Sequence, residues 1–160
     1  VSVVEIEHLF DDQVFSYHAD DKMLHFNVSL LHRMRKQVPG RFRRITMDLD
    51  QTTYDLCINH RGIEENKVRA LQPASLRDPG YGVILEDDSF VMVDGHHRLV
   101  RRFRGGVRVM DFWVTDKPIW QHCLVHYPKE LEEFLAEGMP PKVGNPPQFQ
   151  SHITIHGKGK

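Results

Sequence analysis

At 160 residues with a formal net charge of −1 and 40% hydrophobic residues, the chain has the size of one domain with tails and enough apolar content to build a core. Charged residues make up 27%, and no apolar run approaches the ~20 residues of a membrane span, which excludes a disordered chain and a membrane-spanning helix; no secretory signal is expected. Cys57 and Cys123 lie outside any CxxC pattern, which excludes a disulfide scaffold and points to a reducing cytoplasm.

Residues 1–7 are β-branched enough for a strand and are expected to lead through an irregular stretch into a basic helix over 27–37, with Asn27 as its N-cap. Pro39-Gly40 stops that helix, and residues 43–49 read as a second strand that runs into the polar turn Asp50-Gln51-Thr52. Residues 62–71, with Ile63, Val68 and Leu71 on one side, fit a short amphipathic helix ended by Pro73. Two apolar runs, Val83-Ile84-Leu85 and Phe90-Val91-Met92-Val93, flank Glu86-Asp87-Asp88-Ser89 and form the clearest hairpin of the chain. A helix follows over 96–104, closed by Gly105-Gly106, and then strands over 107–114 and 119–125. Pro128 opens a helix over 129–137 that Gly138 caps, and Gly, Pro and polar residues dominate the remaining tail.

Charge is unevenly spread. Residues 32–44 hold six cations and no acid, residues 96–108 hold five arginines and no acid, and the first 21 residues hold six acids and neither Lys nor Arg. The acidic N-terminal segment is therefore an expected counterpart, within the chain or between copies, to a basic block. Both blocks read equally as solvated helix faces or as anion-binding surfaces.

The chemistry concentrates in Val93-Asp94-Gly95-His96-His97-Arg98-Leu99. A glycine at a strand-to-helix junction lets the backbone approach a ligand. The first N–H groups of the helix lack internal partners and carry the positive end of its dipole, so they suit a phosphate, and Arg98 adds a fork. Asp94 is expected to cap the helix, to orient a histidine, or to approach a nucleotide-bound cation.

This run, SFVMVDGHHRLVRRFRGGVRVMDFWV, resembles the signature segment of the ParB/sulfiredoxin-like superfamily, and Asn59-His60-Arg61-Gly62-Ile63 resembles its lead-in, so the likeness covers about residues 43–125. The resemblance implies an α+β fold, a small mixed β-sheet with flanking helices, with the core domain over 43–138, an N-terminal strand and basic helix extension over 1–42, and a flexible tail over 139–160. It implies that Gly95, His96, His97 and Arg98 bind phosphate and that Asp94 and His97, with a carboxylate from Glu64 or Glu65, carry catalysis as in the free-serine kinases of the superfamily. A cysteine stands in sulfiredoxins where this chain has His96, which removes sulfinic-acid reduction, and neither the G-E-R-R form nor the long C-terminal region of partition proteins is present.

A second motif competes. Ile45-Thr46-Met47-Asp48-Leu49-Asp50-Gln51-Thr52 has the D-x-D-x-T form of haloacid-dehalogenase-type phosphatases, but its companion residues come in the wrong order, so a polar turn after an edge strand is the simpler reading. Eleven histidines show no zinc-binding spacing, and His122 and His126, four apart on an expected strand, would sit ~13 Å apart; no metal site is expected.

Three classes of function follow. The leading one is an enzyme that binds a nucleotide (ATP, ADP or CTP, with or without Mg²⁺) or a phosphorylated small molecule and transfers or hydrolyses the phosphoryl group. The second is a nonspecific nucleic-acid-binding or nuclease module gripping backbone phosphates through Arg101, Arg102 and Arg104. The third is a non-catalytic adaptor or inhibitor. A membrane is not expected as a partner, and homodimerisation is left open.

Overall fold

The computed structural model describes residues 2–7, 12–19, 22–126 and 152–157. In chain order the elements are β1 (Ser2–Glu7), β2 (Val14–Ala19), β3 (Lys22–Asn27), α1 (Val28–Gln37), β4 (Arg43–Asp48), α2 (Gln51–His60), α3 (Glu65–Ala70), β5 (Gly80–Ile84), β6 (Phe90–Asp94), α4 (His96–Arg104), β7 (Val109–Thr115), α5 (Lys117–Trp120) and β8 (His152–Gly157). Short 3-10 turns stand at Pro39–Arg41, Pro73–Arg77 and Gln121–Cys123. The fold is α+β, and it divides into two units, one from residues 1–42 and 117–160 and one from 43–116. No helix among the described residues is long and apolar enough to cross a membrane.

In the first unit the Asn27 side chain accepts the Leu30 N–H at 2.9 Å and opens α1 as its cap, while Val28, Leu30, Leu31 and Met34 bury the helix's inner face. The stretch expected to be irregular holds a hairpin instead: β2 and β3 pair antiparallel from Val14↔Asn27 to Ala19↔Lys22. The expected intramolecular charge pairing is present here, since both Arg33 terminal nitrogens donate to the buried Asp12 carboxylate, at 2.8 and 2.6 Å. A strand expected over 119–125 is corrected. Lys117-Pro118 starts a helical turn, and Ile119, Trp120 and Cys123 bury at helical spacing, Trp120 meeting Phe26 edge-on at 5.7 Å. Residues 152–157, inside the expected tail, pair as β8 with β1. The helix expected over 129–137, with Pro128 and Gly138, lies outside the described residues.

The second unit is a four-stranded mixed sheet in the order β4-β7-β5-β6, antiparallel except for the parallel β5–β7 pair. Alternation along β7 buries Met110, Phe112 and Val114 on one face, where they meet Leu99 and Val100 of α4, Val68 of α3 and Cys57 of α2. The opposite face of β4 and β7 carries a polar network, in which Thr46 and Arg44 donate to the Asp111 carboxylate at 2.6 and 2.9 Å. Asp50, expected in a turn, is the N-cap of α2; its carboxylate accepts the Thr53 N–H at 2.8 Å, and that bond holds its proton affinity below the usual carboxylate range. The helix expected over 62–71 is shorter, beginning at Glu65 and ending at Ala70.

Candidate functional site

The hairpin brings β6 up through Asp94, whose backbone pairs with Tyr81, and the chain then turns at Gly95 into α4. Gly95 has φ +108°, a conformation that side-chain-bearing residues rarely adopt, and it serves as N-cap with no side-chain cap bond. Asp94 is thus not the cap. Its carboxylate lies 3.6 Å from Arg98 Nη2 one helical turn on, and the same guanidinium donates to the Pro79 carbonyl at 3.2 Å. Arg98 therefore ties the strand end and the loop before β5 to the first turn of α4.

His96 and His97 diverge. His96 is only 8% exposed, and burial first, then the Arg61 charge, lower its pKa from 6.5 to about 4, so at neutral pH it is an uncharged imidazole facing the interior. His97 is half-buried, and its Nε2 accepts the backbone N–H of Glu64 at 3.2 Å, which places the ring proton on Nδ1. Burial and then Lys67 push His97 below its ordinary value, against the pull of the Glu64 and Asp94 carboxylates.

The two acids separate as clearly. Glu64 stands beside His97, its carboxylate 2.5 Å from Lys67 Nζ, and that hydrogen bond lowers its pKa from the ordinary carboxylate value. Glu65 points elsewhere, into a two-pronged pair with Arg104 at 2.7 and 2.8 Å. The turn thus gathers Asp94, Gly95, His96, His97, Arg98 and Glu64 and leaves out Glu65. It also recruits Arg61 at the end of α2, which acts on His96, and Lys67 of α3, neither of which the local motif singles out; the packing of α2 and α3 against α4 brings them there.

Arg101, Arg102 and Arg104 are engaged within the unit. Arg101 donates to the carbonyls of Val68, Arg69 and Leu71 at the C-terminal end of α3, Arg102 to those of Leu76 and Val109, and Arg104 to Glu65 and the Tyr54 hydroxyl. Arg101 and Arg102 thereby tie helix and strand ends together, and Arg104 joins α4 to α2 and α3.

Asp48 ends the edge strand β4 and Asp50 is spent on capping α2. Asp48→Asn is accordingly expected to leave any turnover of a generic phosphate ester unchanged, whereas loss of turnover with folding intact would restore the two-aspartate phosphatase reading. No group of three or more His, Cys, Asp or Glu side chains able to hold a metal occurs among the described residues. No family model, characterised protein or solved structure matches the chain.

Proposed function

We propose that the turn from Asp94 to Arg98 binds the phosphate groups of a nucleotide or phosphate ester, and that the protein is an enzyme of ParB/sulfiredoxin-like type transferring or hydrolysing a phosphoryl group in the cytoplasm. The observation that carries this is the surround of one helix N-terminus that has no side-chain cap: Arg98 on α4 itself, Lys67 on α3 and Arg61 at the end of α2 supply positive charge, and the carboxylates of Glu64 and Asp94 stand near His97. The order of strands and helices in residues 43–116, with a glycine between a hairpin strand and the basic helix, is compatible with that superfamily. Free, buried Cys57 and Cys123 fit a reducing compartment.

In this reading the helix N–H groups and Arg98 hold the phosphate that is transferred, and their fixed dipoles and charge stabilise the transition state. Glu64 takes the proton of the attacking water or hydroxyl while the oxygen bonds to the terminal phosphorus. The bond from that phosphorus to its bridging oxygen breaks, and the electron pair leaves with the nucleoside diphosphate or the alcohol. Lys67 fixes the Glu64 carboxylate. A Mg²⁺ carried by the nucleotide needs only one or two protein carboxylates, and Asp94 and Glu64 are the two at the turn. The internal bonds of Arg101, Arg102 and Arg104 weigh against a nucleic-acid surface built from that block.

Thermal denaturation over a panel of nucleotides, with and without Mg²⁺, tests the proposal. Arg98→Ala is expected to weaken phosphate binding by about 1.5 to 3 kcal/mol, the range for hydrogen bonds to a charged group. Arg98→Lys should recover the charge but not the fork. If no nucleotide or phosphate stabilises the wild type, or if the alanine variant responds equally, the turn is not the anion site.

A further inference from the structure

We propose that the open edge of β4 is a self-pairing surface, on which a second copy of the chain lays its own β4 antiparallel, centred on Thr46. The four-stranded sheets of two copies then become one. This edge is at the opposite end of the sheet from β6, which leads into the proposed phosphate turn. The two ends differ in exposure. Val91, Met92 and Val93 of β6 are buried, whereas Arg43, Arg44, Thr46 and Asp48 of β4 are exposed.

The ladder to β7 fixes which backbone groups of β4 point outward. The Leu49 N–H donates to the Arg108 carbonyl at 2.8 Å, continuing the register that pairs Arg43 with Val114 and Asp48 with Val109. Backbone direction alternates along an antiparallel strand, so residues 43, 45 and 47 turn toward β7 as Leu49 does, and the N–H and C=O groups of Arg44, Thr46 and Asp48 point out of the edge. The side chains of Arg44 and Thr46 stand on the polar face, bonded to Asp111, while Ile45 and Met47 pack against the core. A two-fold axis keeps both apolar faces on one side of the joined sheet only if each residue opposes one of its own face. Centred on Thr46, the pairing sets Arg44 opposite Asp48, Ile45 opposite Met47 and Thr46 opposite itself, so unlike charges meet on the polar face and apolar side chains on the core face. The neighbouring registers lose this match: centred on Ile45 the pairing opposes Arg44 to Thr46, and centred on Met47 it opposes Thr46 to Asp48. The charged pair is also prepared in the single chain. Arg44 lies over the Trp113 ring at 5.6 Å with Nε and Nη2 on Asp111 at 2.9 and 2.8 Å, which leaves Nη1 for a second carboxylate and orders the side chain before the partner arrives. The Asp48 side chain has no hydrogen bond or ion pair among the described residues.

A single strand pair is smaller than a standard protein interface, so the dimer is expected to be weak, reversible and concentration-dependent. Sedimentation and amide hydrogen exchange of the full chain, at dilute and at near-millimolar protein, read it without any ligand. The expected result is a dimer at the higher concentration, in which the amides of Arg44, Thr46 and Asp48 gain protection and those of Ile45 and Met47, already in the β7 ladder, do not change. Asp48→Arg opposes arginine to arginine in both symmetry-related pairs and should weaken the dimer about tenfold. Thr46→Pro removes the central outward N–H, which the β7 ladder does not use, and should abolish association. A chain that stays monomeric at near-millimolar concentration overturns the proposal, as does a dimer whose Arg44, Thr46 and Asp48 amides exchange as in the monomer. Protection of those amides with no response to Asp48→Arg overturns the Thr46-centred pairing and makes another strand of the partner the occupant of the edge. The wild-type measurements and the exposed Asp48 variant decide this even if Thr46→Pro folds poorly.

Discussion

As the pH falls from about 6.5 to about 4, the unit formed by residues 43–116 is expected to lose about 3 kcal/mol of stability through His96 alone. The ring is neutral in the folded protein because burial, and secondarily the Arg61 charge, lower its pKa from 6.5 to about 4. The unfolded chain binds the proton first. Stability from this group is therefore whole above the unfolded pKa and drains away as the pH drops toward the folded one. The carboxylates Glu64, Glu65, Asp50 and Asp111 are all held below their ordinary values by hydrogen bonds, so their losses come at lower pH and do not fill the same window. His97, lowered chiefly by burial, adds to the slope in the same direction. Urea unfolding at a series of pH values from neutral to about 4.5 measures it, and His96→Gln should flatten most of the slope. An unchanged slope in that variant would show that the acid sensitivity has another source. The consequence for the proposed phosphate site is that His96 contributes a neutral wall to the turn at physiological pH, so the positive charge there comes from Arg61, Lys67 and Arg98.

What the residues reveal before folding is local. The β5–β6 hairpin and α4 were legible because apolar runs are punctuated by Asp87-Asp88, Gly95 and Gly105, each of which stands where the backbone turns. Helix α2 was not, because its apolar stripe is broken: Cys57 is buried while Leu56 and Ile58 are exposed, and only the Asp50 cap marks its start. The β2–β3 hairpin hid for the converse reason. Polar His25 and Asn27 are as buried as Phe26, so the alternation of a half-buried strand is absent from β3. Pro118 falls between the strands expected over 107–114 and 119–125, yet a proline suits the first turn of a helix equally well. At the site, Gly95 and Arg98 belong to one short motif and could be read together. Arg61, Lys67 and the choice between Glu64 and Glu65 depend on which way α2 and α3 pack, and no spacing along the chain encodes that.

Replacing Gly95 with alanine is expected to cost about 2 to 4 kcal/mol and to abolish stabilisation by phosphate, because two separate penalties meet at this residue. The first is conformational, since φ is +108°. The second is crowding. An added β-carbon would lie 3.0 Å from Met110 Cε, 3.1 Å from the α-carbon of Gly80 and 3.4 Å from Arg98 Nη2. The methionine tip can yield, but Gly80 is backbone of an interior strand that is itself closely confined: a β-carbon there would fall 2.6 Å from the Phe112 ring and 2.7 Å from the Asp94 carbonyl. The turn must then move away from β5, shifting both the helix N–H groups and the Arg98 fork of the proposed phosphate site. Gly62 separates the two penalties, because it also has positive φ, +62°, yet has nothing within 4 Å of its would-be β-carbon. Gly62→Ala should carry only the conformational cost, about 1 to 2 kcal/mol. Paired denaturation curves compare them: equal losses would mean that the turn is not tightly packed against β5, whereas an excess at Gly95, accompanied by loss of the phosphate response, ties the packing of the junction to its function.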